Sequence, residues 1–129
     1  KAKGGTLLTF ALDRILDLWP TDKKFDEKNF DDASYFQHAI GVTVPQGEPE
    51  KVILSFTPHQ GKYIKTQAIH PSQQVESDTA DECRISINVV INHELTMLLL
   101  SYGANVKVIQ PAQLAEKIAA EAKAMLERY

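Results

Sequence analysis

The sequence predicts an α+β chain whose larger part is a ferredoxin-like βαββαβ sheet with an additional C-terminal helix, preceded by a short β-hairpin and a linker helix. Three observations predict it. From Lys51 to Thr57, and again from Arg84 to Ile91, apolar and polar side chains alternate, placing Val52, Leu54 and Phe56 on one face of the first strand and Ile85, Ile87, Val89 and Ile91 on one face of the other. Two later segments carry apolar stripes at helical spacing, Leu95, Leu98, Leu99 and Tyr102 in one and Leu114, Ile118, Ala122, Met125 and Tyr129 in the other. From Lys51 onward the elements run β-α-β-β-α-β-α, and right-handed crossovers with one-sided helices fold that order as an antiparallel sheet covered on one face.

The elements before the sheet are weaker. Thr6 to Phe10 is a β-favouring run after Gly4-Gly5, and Ile15 to Trp19 is a second, ended by Pro20, with Leu12-Asp13-Arg14 at the junction. Two isolated strands are marginal in water, so this pair is expected to rest on other structure. The stretch from Asp22 to Asp32 turns polar, with Phe25 and Phe30 as its apolar anchors, and reads as a linker. Asp31 or Asp32 is placed to cap a short helix through Ile40, with Tyr35, Phe36 and Ile40 on its apolar side and Gly41 as its stop signal.

Within the sheet region, Pro58 ends the first strand, and Tyr63, Ile64 and Ile69 follow in a helix. Gln73 to Asp78 is a weak strand joined through the polar turn Thr79 to Glu82 to the strong strand from Arg84. Asn92 is a good N-cap for a helix from His93 to Tyr102, and Gly103 suits its C′ position. Asn105 to Ile109 is the last strand, and Pro111 opens the last helix. The expected divisions are 1–21, 22–48 and 49–129.

Composition bounds the function classes. A chain of 129 residues holds one core plus an appendage, and 43% hydrophobic with 24% charged residues is ordinary globular usage. The single Cys83 cannot form an intramolecular disulfide and no secretory leader opens the sequence, so a reducing cytosol is the expected compartment. No apolar run approaches the roughly 20 residues of a membrane span. The formal net charge of −3 lacks the field that drives non-specific nucleic-acid binding, so any such contact must be local. The chain opens without an initiator Met directly before a strand-like run, which reads as a cut from a longer parent.

Catalytic chemistry has no address in this sequence. His38, His59, His70 and His93 include no pair at the i, i+4 spacing of a helical zinc site, so no metal is expected. Cys83, at the opening of an apolar strand with no His nearby in sequence, reads as a buried structural thiol. The stretch from Thr57 to Tyr63 has one glycine where a phosphate loop needs several, and it lacks the Ser or Thr after the lysine. Lys117 with Glu121, and Lys123 with Glu127, are i, i+4 pairs of a solvated helix face. Met97 and Leu100 widen the apolar surface of the His93 helix, as core or as a subunit contact, and Trp19 and Tyr35 read as packing anchors rather than base-stacking platforms. Neither an enzyme nor a cofactor is expected.

The run Thr9-Phe10-Ala11-Leu12-Asp13-Arg14-Ile15-Leu16-Asp17-Leu18 resembles the end of the WYL domain, a small Sm/SH3-like β-barrel, through its aromatic, its Asp-Arg-Ile triplet and the strand after it. Phe25, Phe30 and the Tyr35 to Gly41 segment resemble that family's exit linker. The remainder resembles the C-terminal extension called WCX, in the strand ending Phe56-Thr57-Pro58, in Ile69-His70-Pro71-Ser72-Gln73, and above all in Leu98 to Pro111, a helix ending Ser-aromatic-Gly, a strand and a Pro-initiated helix. The resemblance implies a bacterial transcription regulator. Its parent would carry an N-terminal helix-turn-helix that contacts DNA, a ligand-sensing WYL barrel of which residues 1–21 are the last strands, and a WCX domain for self-association as a homodimer and regulation.

It also implies an effector that includes single-stranded nucleic acid or a nucleotide, with Arg14 matching a ligand-contacting basic position. A guanidinium offers planar, bidentate recognition of phosphate, while Asp13, Asp17 or an acid of the linker offers Arg14 a salt bridge instead. Lys62, Lys65 and His70, beside a strand-to-helix turn, are weaker ligand candidates, each with a solvated surface as its alternative. The competing reading is a small-molecule sensor of the kind ferredoxin-like sheets form.

Overall fold

The computed structural model describes residues 10–24, 31–44 and 47–129, in two compact units, Lys1–Phe30 and Asp31–Tyr129. In the first unit one 3-10 turn, Leu12–Arg14, is entered and left through extended backbone at Ala11 and Ile15, with the Ile15 N–H donating to the Leu12 carbonyl at 3.3 Å. The strand expected from Ile15 to Trp19 does not form: Leu16, Leu18 and Trp19 are exposed and none of the segment is in a sheet. Apolar residues favour extended backbone, but a strand also needs a neighbour's N–H and C=O groups, and a lone hairpin is marginal. Its expected partner, Thr6 to Phe10, lies outside the described residues except for Phe10.

The second unit opens with α1 (Asp32–Phe36), capped by Asp31, whose carboxylate accepts the Ser34 N–H at 3.2 Å. This helix is shorter than the expected span to Ile40 because the chain turns away to dock. The His38 carbonyl accepts the Val90 N–H at 2.9 Å, the Asn92 amide donates to the carbonyls of Ile40 at 2.7 Å and Thr43 at 3.1 Å, and the Thr43 N–H donates to the Glu94 carboxylate at 3.1 Å. Ile40 is buried with the core.

β1 (Glu50–Phe56), β2 (Gln74–Asp78), β3 (Cys83–Val89) and β4 (Val106–Gln110) form a four-stranded sheet in the order β2-β3-β1-β4, antiparallel throughout. With α2 (Pro58–Thr66) after β1 and α3 (His93–Ser101) after β3, this is the predicted βαββαβ arrangement, and α4 (Ala112–Leu126) is the additional helix. The α+β class stands. The alternation works as expected: Val52, Leu54 and Phe56 of β1 and Ile85, Ile87 and Val89 of β3 are buried with Ile64 of α2, Leu95 and Leu99 of α3 and Leu114 of α4 in one core cluster. Phe56 meets Tyr102 edge to face, with ring centroids 5.3 Å apart.

Element ends differ in physically simple ways. Pro58 opens α2 instead of only closing β1, because its missing N–H is one the first helical turn leaves unpaired, while the Thr57 hydroxyl accepts the Gln60 N–H. Ile69 lies past α2, and Ile91 past β3; both pack on the core from outside these elements. The Asn92 side chain caps α3 as expected, accepting the Leu95 N–H at 2.8 Å, and Gly103 follows it at φ +55°, a left-handed conformation that a side chain would strain. The stripe of α4 is covered only at its start. Leu114 is buried and Ile118 half-buried, but Ala122, Met125 and Tyr129 are exposed. The 15-residue helix, about 22 Å long, outruns the five-residue edge strand it follows, about 17 Å long.

Two contacts set how closely the layers approach. At Gly61 a Cβ would stand 2.3 Å from the Cβ of Cys83 and 3.2 Å from its sulfur, so α2 rests directly on β3 there. Burial pushes the Cys83 thiol above its ordinary pKa. His70 is 5% exposed, and its Nδ1 accepts the Ser72 N–H at 3.1 Å and lies 2.7 Å from the Ser72 hydroxyl. Burial holds the His70 imidazole below its usual pKa and the neighbouring His38 adds to this, against an opposing hydrogen bond to the Gln37 backbone.

Gly61→Ala is therefore expected to cost about 1–3 kcal/mol, read as a lowered urea midpoint; an unchanged midpoint would mean that α2 can lift off β3 freely. For His70 the folded state disfavours the charged ring, so the unfolded chain takes up the proton first. The stabilisation it gives is present above the ordinary imidazole value of about 6.5 and is lost as pH falls below it. Urea unfolding at pH 7.5 and 5.5 should show that loss, and His70→Asn should reduce it; an identical pH dependence in the variant would dismiss the role.

Candidate functional site

The four ligand candidates fall in different surroundings. Arg14 closes the 3-10 turn of the first unit and is exposed. In the second unit, Lys62 and Lys65 lie one turn apart on α2 and are both exposed. Lys65 forms an ion pair with Asp78 at the end of β2, which raises its pKa. His70, by contrast, is inside, and its hydrogen bonds join the loop after α2 to the backbone at Gln37. The solvated-surface alternative thus describes Lys62 and Lys65 but not His70.

The face of the sheet away from the core is polar, because alternation sends every second residue of β1 and β3 there. Lys51 pairs with Glu76 at 2.7 Å across β1, β3 and β2. Hydrogen bonds to Lys51 and Ser86 keep the Glu76 carboxyl below its usual pKa. The Glu82 carboxylate accepts the Ser55 hydroxyl with one oxygen and binds Arg84 at 2.6 Å with the other. Arg84 Nε is buried and has no hydrogen-bond partner among the described residues. Lys51 and Arg84 on this face each meet a carboxylate, whereas Lys107 of β4, opposite Ser55, has no ion pair among the described residues.

A second surface was legible only in part. Leu99, Leu100, Gly103 and Ala104 at the end of α3 face Ile118, Ala122 and Met125 of α4 across an open apolar groove of about 360 Å³. Met97, an alternative core residue by sequence, is 51% exposed, whereas Leu100 is half-buried along this groove. The sequence signal was the α4 stripe itself, longer than the sheet beneath it. What the stripe did not reveal is that the end of α3 supplies the opposite wall.

Cys83 is fully buried with a raised pKa, so its reactive thiolate is disfavoured. Among the described residues no three His, Cys, Asp or Glu side chains converge where they could hold a cation, and no helix is long and apolar enough to cross a membrane.

Comparison with known proteins agrees with this arrangement. No curated protein matches the chain in sequence. The family described as the WCX domain matches residues 48–126, which take in the whole sheet and all three helices packed on it. WCX is a domain found with WYL-domain regulators, and transcriptional regulation is the context it brings. The match over residues 48–126 places this chain in the WCX domain family.

Proposed function

We propose that this chain is the regulatory part of a bacterial helix-turn-helix transcription regulator, cytoplasmic, and joined to DNA through a domain outside this chain. Residues 49–129 serve self-association and regulation as the WCX domain, residues 22–48 are the linker, and residues 1–21 complete a WYL barrel that senses the effector. The effector is single-stranded nucleic acid, met by the Arg14 guanidinium, which can take a phosphate bidentately and stack on a base. The observation that carries this reading is the WCX match over residues 48–126, since that domain accompanies regulators rather than enzymes. The exposure of Arg14 supports its role, as does the lack of any ion pair to it among the described residues. The second unit, taken by itself, offers weaker candidates: Lys62 and Lys65 on α2, Lys65 by exchanging Asp78 for a phosphate, with His70 holding the loop after α2 to Gln37.

Thermal shift of the longer regulator against single-stranded oligonucleotides and a panel of metabolites tests it. An oligonucleotide at about 100 times its Kd stabilises by about 2.7 kcal/mol, a rise in Tm of several degrees. Arg14→Ala should abolish most of that rise without lowering the Tm of the unliganded protein. A rise with metabolites alone would favour the small-molecule sensor and reject the nucleic-acid effector.

A further inference from the structure

The exposed half of α4 has a seam with no cover. Ala115, Ile118, Ala122 and Met125 of α4 follow the alternating three-and-four spacing of a two-helix coiled coil, and Tyr129 continues it in the turn after Leu126, where the Arg128 and Tyr129 N–H groups donate to the Met125 and Leu126 carbonyls at 3.1 and 3.3 Å. The first two are half-buried against the core, while Met125 is 51% exposed and Tyr129 fully exposed. Leu126, next to this stripe, is 75% exposed. Ile118, Ala122 and Met125 also form one wall of the apolar groove whose other wall is the end of α3. The seam therefore sits along an open apolar groove.

The charges beside the stripe select the occupant. In an antiparallel pair, each residue of one seam position faces the other seam position of its neighbour, and the flanking residues meet like position to like. Setting Ala122 against Met125 of a second copy puts Ile118 against Tyr129, and the two-fold axis repeats both contacts. The flanks then follow. Ala119 meets Leu126 on one side, apolar to apolar, and Glu121 meets Arg128 on the other, twice in the dimer. Neither Glu121 nor Arg128 has an ion pair among the described residues; the one pair on this helix is Lys123 with Glu127, at 4.0 Å. Pairing Ala122 with Ile118 instead would bring the two Glu121 side chains together on the axis. A parallel pair would set Glu121 beside Leu126 and leave Arg128 unmatched. Only the first alignment matches both charge and apolarity.

We infer that α4 packs antiparallel against α4 of a second copy of this chain, in the register that sets Ala122 against Met125, with the Glu121–Arg128 pairs closing the flank and the end of α3 walling the seam. This rests on the self-association proposed above and adds its surface and register.

Sedimentation of the purified chain over a concentration series, with single charge reversals, tests the inference. Both positions are exposed, so circular dichroism should confirm unchanged folding in every variant. Glu121→Arg and Arg128→Glu should each weaken dimerisation by about tenfold or more, since each sets like charges opposite one another twice. Mixing the two variants should restore it, because Arg at 121 of one chain then faces Glu at 128 of the other, and the double reversal in one chain should restore it as well. Met125→Asp should give monomer. A dimer indifferent to both reversals would overturn the α4 seam while leaving self-association standing, and a chain monomeric at every concentration would overturn both.

Discussion

The pairing of β1 with β3 is the constraint on which the second unit depends. Seven residue pairs in unbroken register, from Glu50 opposite Val89 to Phe56 opposite Cys83, align two strands whose apolar residues, Ile53 apart, fall on one side. A slip of one residue would turn Val52, Leu54 and Phe56 to solvent while Ile85, Ile87 and Val89 stayed buried, so burial itself holds the register. Everything else is referred to this pair. β2 and β4 add to its two edges, α2 and α3 cover its apolar face, and Gly61 of α2 packs against Cys83 at the end of the same pairing.

Polar side chains then close the frame around that core. Asn92 caps α3 with its carbonyl oxygen and, with its amide, holds the backbone at Ile40 and Thr43; Glu94 and His70 hold the same segment from two further elements. The opposite face of the sheet is laced by Lys51 with Glu76 and by Glu82 with Ser55 and Arg84. A polar group engaged in this way has its partners fixed and little left for chemistry on a substrate. Uncovered apolar surface remains at the outer ends of α3 and α4.

That distribution suits a domain that works through surfaces. In this WCX domain, of a kind found with WYL-domain regulators, the sheet is a platform beyond which the end of α4 extends. A helix longer than the strand beneath it is a direct way for such a platform to present apolar surface without weakening its own core.

Much of this was legible in the sequence because it depends on local periodicity. Alternation in β1 and β3, the cap at Asn92, the positive φ at Gly103 and the proline at the start of α4 are consequences of two or three neighbouring residues, and the order of elements left one economical sheet topology. Tertiary structure decided matters that depend on what lies opposite. Ile15 to Trp19 has strand composition but no strand partner among the described residues. His70 looks like a surface cation by composition, yet packing buries it. The α4 stripe was visible in full, while the five-residue length of β4 decided where its cover ends. Periodicity states which face of an element is apolar; only the neighbouring element determines how much of that face is removed from water.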